Sequence, residues 1–146
     1  MITAGSLFSG IGGIDLAMSL AGFDIRWQVE IDDFCRKVLQ KHSWEYWRNA
    51  TQFTDVRRVT ARSGKGWRGY QRLEKVDLLF GGFPCQDISV SGKRAGIREG
   101  TRSGLWSEFR RLIGEIRPRA VLLENVPNIT QIGGTDVIAD LAALVS

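Results

Sequence analysis

Short apolar runs alternate with segments of helical period along the chain, and this alternation limits the fold more than any other feature. A run of about five apolar residues makes a buried parallel strand, and the helix that follows must pack back on the sheet. Thr3–Phe8 reads as a first strand, Ser9-Gly10-Ile11-Gly12-Gly13 as a turn, and Ile14, Leu16, Ala17, Leu20 and Ala21 recur at helical spacing until Gly22. Phe23–Ile31 reads as a second strand, followed by a helix with Ile31, Phe34, Cys35, Val38 and Leu39 on one face, which makes Cys35 a core residue. Gln52–Val56 reads as a short strand, and residues 57–75 as an irregular basic excursion. Val76–Phe80 is a buried strand broken by Gly81 and Gly82. Leu105, Phe109, Leu112, Ile113 and Ile116 mark an amphipathic helix that Arg117-Pro118 ends. Ala120–Leu123 is another buried strand, and a last helix over Thr135–Val145 puts Val137, Ile138, Leu141 and Leu144 on one side. The expected fold is α/β: one mostly parallel sheet with helices on both faces.

At 146 residues the chain makes one domain, with 43% hydrophobic residues for a core. No apolar run approaches a membrane span, and no signal peptide is visible. Cys35 and Cys85 are the two cysteines and form neither a disulfide framework nor a zinc pattern, so a reducing, cytoplasmic setting without a metal is expected. His42, the one histidine, has no triad partner nearby and reads as structural or surface. The net charge is +4, with basic residues clustered at Arg57, Arg58, Arg62, Lys65, Arg68 and Arg72 and again at Lys93, Arg94, Arg98 and Arg102. Such clusters suit a polyanion such as nucleic acid, or a solvated positive face.

The chemistry-bearing residues fall at strand ends, the edge where open α/β sheets bind ligands. Cys85, in Gly81-Gly82-Phe83-Pro84-Cys85-Gln86, is placed like a nucleophile. The first turn misses the strict dinucleotide fingerprint because Asp15 stands where its third glycine belongs. Its glycines still admit a ligand close to the backbone. Glu30 stands 20 residues after Gly10, the spacing of a carboxylate that accepts both ribose hydroxyls. Asp55 marks a third strand end, suited to an adenine amino group. Glu124 follows an apolar strand, where a partly desolvated carboxylate can donate a proton.

The ordered set Phe8-Ser9-Gly10-Ile11-Gly12-Gly13, Glu30, Asp55, Gly82-Phe83-Pro84-Cys85-Gln86 and Glu124-Asn125-Val126 resembles the DNA cytosine-5 methyltransferase family. Ser89-Val90-Ser91-Gly92-Lys93-Arg94 and Arg102-Ser103-Gly104-Leu105-Trp106 match its pattern too. The resemblance implies a Rossmann-like core that binds S-adenosylmethionine as methyl donor and acts on double-stranded DNA. It implies that Phe8, Gly10, Gly13, Val56 and Pro84 line the donor site, with Glu30 on the ribose, Ile31 against the adenine, Asp55 on the adenine amino group and Leu105 closing the pocket. It implies Cys85 as nucleophile, Glu124 as the acid on the ring nitrogen of a flipped-out cytosine, and Gln86, Ser91, Lys93, Arg94 and Arg102 on the DNA.

The resemblance runs from residue 1 to about residue 130. Family members continue with further strands, a basic Gln-x-Arg-x-Arg segment and a target-recognition region, none visible here. Ser6 also stands where many members carry an acidic residue. Residues 1–146 are therefore expected to be an incomplete catalytic domain lacking its C-terminal strands, with an uncovered sheet edge: a truncated product, a fragment or one half of a split enzyme. The alternatives are a non-catalytic donor- or DNA-binding remnant, and an interaction module that completes a partner polypeptide.

Overall fold

The computed structural model describes residues 1–63, 69–83, 104–125 and 134–145. In chain order the elements are β1 (Thr3–Leu7), α1 (Gly13–Leu20), β2 (Asp24–Val29), α2 (Asp33–Tyr46), β3 (Thr51–Phe53), a 3-10 turn (Val56–Arg58), β4 (Val59–Thr60), β5 (Gln71–Arg72), β6 (Leu78–Gly82), α3 (Gly104–Ile116), β7 (Ala120–Glu124) and α4 (Gly134–Val145). The five-stranded sheet has the order β3-β2-β1-β6-β7 and every neighbouring pair in it is parallel. β4 and β5 form a small parallel pair of their own within the basic excursion.

The chain first builds outward from β1 to β3, then returns to β6 on the other side of β1. Right-handed crossovers put the helices of the two halves on opposite faces. Two core clusters follow. Ala4, Ile25, Leu78 and Phe80 pack with Leu39 and Trp47 of the α2 region, and Ile14, Leu16 and Met18 of α1 lie against them. Leu7, Trp27, Val29 and Leu79 pack with Phe109, Leu112, Ile113 and Ile116 of α3 and Val137 of α4. The reversal makes the carboxyl ends of β1 and β6 a topological switch point.

Several local expectations give way. β6 is not broken by its glycines: Gly81 and Gly82 continue the strand in register with Leu123 and Glu124. A side chain at Gly81 would collide with the Leu7 carbonyl, so glycine serves close strand approach here. β3 ends at Phe53, and Asp55 caps the 3-10 turn instead of ending a strand. On α1 the buried residue is Asp15, while Leu20 is 74% exposed. On α2 only Leu39 is buried; Phe34 is 69% exposed, Ile31 precedes the helix, and Cys35 is half-buried. Ile138 of α4 is likewise exposed. β7 is an edge strand with an alternation of exposed and half-buried residues rather than a buried run, and Leu122 is 41% exposed.

Candidate active site at the carboxyl edge of the sheet

Because the five strands are parallel, Phe8, Glu30, the Asp55 turn, Phe83 and Glu124 all emerge at one edge. The turn after β1 is the most constrained segment there. Phe8 and Gly10 both have φ 54°, and Gly12 has φ 90°. A non-glycine residue at positive φ stores strain of about 1–3 kcal/mol and persists only where its surroundings hold it. Phe8 is held by stacking on Phe109, ring centroids 6.2 Å apart, within an aromatic cluster that joins Phe83 and Trp106. Gly12 is required twice over, by its positive φ and because a Cβ would lie 2.8 Å from Leu39 and 2.9 Å from Trp47.

Glu30 ties this turn to the end of β2. Its Oε2 accepts the Gly10 N–H at 2.7 Å and its Oε1 accepts the Asp32 N–H at 2.8 Å. Each oxygen keeps a second acceptor site. At Gly10 and Gly13 a Cβ would meet nothing within 4 Å, so both face open space. Ile11 and Ile31, next in sequence to Gly10 and Glu30, are 60% and 64% exposed.

Asp55 is engaged by its neighbour. Its Oδ1 accepts from the Arg57 amide and Nε, and its Oδ2 from Nη2, all at 3.0 Å. Burial pulls the Asp55 carboxyl up, but Arg57 outweighs it and holds the group below its ordinary range. Val56 turns its side chain into the core, so it meets a ligand at most through its backbone. This turn is clamped to α3. Arg111 Nη2 donates to the Val56 and Val59 carbonyls at 3.1 and 3.0 Å, and Nη1 donates to Glu115 Oε1 at 2.9 Å. Glu115 Oε2 accepts from Thr60 Oγ1 at 2.8 Å and from the Ala61 N–H at 3.0 Å. Leu105, near the start of α3, is half-buried against the same core.

On the other side of the switch point, Asn125 Nδ2 donates to the Phe83 carbonyl at 3.0 Å and joins the ends of β6 and β7. The Glu124 carboxylate lies over Gly82, where a Cβ would collide with its Oε2. Glu124 is exposed, not partly desolvated, because it sits at the open end of the edge strand β7. Pro84, Cys85, Gln86, Ser91, Lys93, Arg94 and Arg102 lie outside the described residues. Cys35 is a poor thiolate: burial, then the adjacent Asp32 and Glu30 carboxylates, push its thiol up.

The sequence reading noticed Asp15 only as the residue that spoils a glycine fingerprint. In the fold it is fully buried beneath the turn, its Oδ2 accepting from Ser6 Oγ at 3.0 Å and its Oδ1 from Gln28 Nε2 at 2.8 Å. Burial raises its carboxyl from 3.8 to about 6, and the Gln28 and Ser6 hydrogen bonds offset only part of this. A raised folded value means that stability is fully present below pH 3.8 and lost as the pH rises through about 6. Holding this carboxyl at about 6 costs about 3 kcal/mol of stability above pH 6. Asp15→Asn removes the charge and leaves a side chain of the same shape. The variant is expected to be about 1–3 kcal/mol more stable than wild type at pH 7.5 and equal to it near pH 4. Urea unfolding across that range measures it; equal stabilities at pH 7.5 would refute the assignment.

The comparisons agree with this arrangement. A model of the C-5 cytosine-specific DNA methylase family matches residues 2–138. The Type II methyltransferase M.AluI of Cellulosimicrobium cellulans is 37% identical over 123 residues, covering 84% of this chain and 22% of that protein. M.Bsp6I of Bacillus sp. is 32% identical over 130 residues, covering 88% of this chain and 37% of the relative. A crystal structure described as a DNA modification methyltransferase encoded within an E. coli prophage superposes with a TM-score of 0.69 at 30% identity, covering 99% of this chain and 38% of that one. The chain thus spans well under half of the length of these relatives. With the fold, the strand-end residues and the family match in agreement, the chain belongs to the C-5 cytosine-specific DNA methylases.

Proposed function

We propose that this chain carries the donor site and the nucleophile of a DNA cytosine-5 methyltransferase, which moves a methyl group from S-adenosylmethionine to carbon-5 of a cytosine flipped out of duplex DNA. The observation that carries this reading is Glu30 on the Gly10 amide beside two glycines that face open space. A ligand occupies what side chains there would fill, the free acceptor sites of Glu30 suit ribose hydroxyls, and Ile31 offers an apolar plate to the adenine. Asp55 meets the adenine amino group with acceptor capacity that Arg57 leaves over.

When bound, the donor supplies a methyl group on a positively charged sulfur, open to nucleophilic attack. The chain's own residues make cytosine the nucleophile. The Cys85 thiolate adds to carbon-6 of the ring, and Glu124, desolvated and protonated once the flipped base covers it, donates a hydrogen bond to the ring nitrogen where charge develops, which raises electron density at carbon-5. Water then takes the carbon-5 proton, and the electron pair left behind re-forms the ring double bond and expels the thiolate. Lys93, Arg94 and Arg102 supply phosphate contacts.

We also infer that a complementary C-terminal polypeptide completes the sheet. Unpaired backbone on an edge strand is a template for another strand, and β7 combines that edge with exposed Leu122. A non-catalytic remnant or an adaptor module is distinguished by what binds. Calorimetry with S-adenosylhomocysteine is expected to show weak binding, weakened further in Glu30→Ala by roughly 1–3 kcal/mol, the scale of lost charge-assisted hydrogen bonds. Absence of heat for the wild-type chain at millimolar ligand would end the donor-site reading.

A further inference from the structure

We propose that Asp15 is a positioning residue for the donor: through Ser6 and Ser9 its carboxylate holds the turn that carries Gly10, and loss of its charge loosens that turn and weakens donor binding. The inference rests on the donor-site reading above and adds a residue to it. The path is continuous. Ser9 Oγ donates to Ser6 Oγ at 2.8 Å, and Ser6 Oγ donates to Asp15 Oδ2 at 3.0 Å. Ser9 also donates its amide to the Val29 carbonyl at 3.2 Å and accepts the Gly12 N–H at 2.9 Å. The strained turn is therefore gripped by two carboxylates, Glu30 at the Gly10 amide and Asp15 beneath Ser9.

Among the described residues, the groups that face Asp15 are uncharged. β1 presents Ser6 and β2 presents Gln28, while Leu39 of α2 and Trp47, just after that helix, close over Gly12. Burial raises the Asp15 carboxyl and its hydrogen bonds lower it, and no charged side chain among the described residues is a cause of the shift. An ionised carboxylate buried without a cation opposes folding. Retained beneath a functional turn, it has the character of a group kept for position rather than for stability. Charge matters because an ionised carboxylate only accepts, which forces the Ser6 hydroxyl to donate to it and leaves the Ser6 oxygen to accept from Ser9. A protonated or amide group at position 15 donates as well and removes that directional constraint.

The test compares wild type, Asp15→Asn and Ser9→Ala on the 146-residue chain. Amide exchange at Gly10, Gly12 and Gly13 is followed by NMR at pH 7.5 without ligand, and S-adenosylhomocysteine affinity is measured from pH 5 to 8. Both variants are expected to exchange faster at Gly10 and to bind about tenfold more weakly at pH 7.5, the scale of one lost buried hydrogen bond. Wild-type affinity should fall toward that of Asp15→Asn as the pH drops through about 6, whereas Asp15→Asn should lack that step. Wild-type exchange and affinity in both variants would overturn the proposal. Faster exchange in the variants together with no ligand binding by wild type would leave the hold on the turn standing and remove the donor-site reading. If Asp15→Asn fails to fold, Ser9→Ala decides, since it breaks the same path outside the buried carboxylate.

Discussion

Glu115→Ala is expected to destabilise the chain by about 3–5 kcal/mol, the range for breaking a buried ion pair from one side. The Glu115 side chain is fully buried, and it serves Thr60, the Ala61 amide and Arg111 at once. Its loss leaves a buried hydroxyl and amide unpaired and Arg111 without its inner partner. Arg111 would then hold the Val56 and Val59 carbonyls less firmly, and the Asp55 turn depends on that clamp. Glu115→Gln keeps acceptors for Thr60 and Ala61 and should lose markedly less. Burial pulls the Glu115 carboxyl up, yet the Ala61, Thr60 and Arg111 contacts outweigh it and hold the group below 4.5. A lowered folded value contributes stability above that pH and loses it as the pH falls, opposite in sign to Asp15. Urea unfolding at pH 7 and pH 4 measures both effects; a Glu115→Ala loss below about 0.5 kcal/mol, the range of ordinary surface substitutions, would show that the clamp contributes nothing.

The second large effect is catalytic. The 146-residue chain is expected to transfer little or no methyl to duplex DNA, and addition of a complementary C-terminal polypeptide to restore transfer. This chain supplies the proposed nucleophile, acid and most of the donor site, whereas the family resemblance assigns support of the flipped base and target reading to segments beyond them. Misplacing reacting groups by about 1 Å costs on the order of a hundredfold in rate. Glu124 is exposed beside an edge that is uncovered among the described residues, where water competes for the hydrogen bond it is proposed to make to the ring. Attraction of phosphates asks less, so salt-sensitive binding to DNA without sequence preference should survive in the chain alone. A tritiated-methyl assay decides between the two states, with Cys85→Ala as the control for the covalent route. Strong incorporation by the chain alone that depends on Cys85 would show that segments beyond these residues contribute little.

The alternation of strands and helices was legible because it is written in the spacing of neighbouring residues. Leu105, Phe109, Leu112, Ile113 and Ile116 repeat every three or four positions, and α3 forms over Gly104–Ile116. Glu30 was legible for the same reason, since a fixed strand-turn-helix unit sets its distance from Gly10, and the fold brings the two into contact. Periodicity failed where it had to say which side of a helix faces inward. Leu20 and Phe34 lie outside while Asp15 lies inside, a choice made by how α1 and α2 settle on β1 and β2. It failed again at Gly81 and Gly82, which read as breakers yet continue β6, because the demand for glycine comes from the Leu7 carbonyl and the Glu124 carboxylate on the two flanking strands. The sequence by itself determined the order of the main strands and helices, though not the 3-10 turn or the β4-β5 pair, together with the strand-end positions of Glu30 and Glu124 and the family. Only the tertiary structure decided that Asp15 is buried under the turn after β1, that Glu115 and Arg111 clamp the Asp55 turn, and that β7 is an edge strand among the described residues. The reason is physical: local period depends on residues a few positions apart, whereas desolvation and hydrogen-bond partnership depend on groups 9 to 55 positions away that only the packed sheet brings within reach.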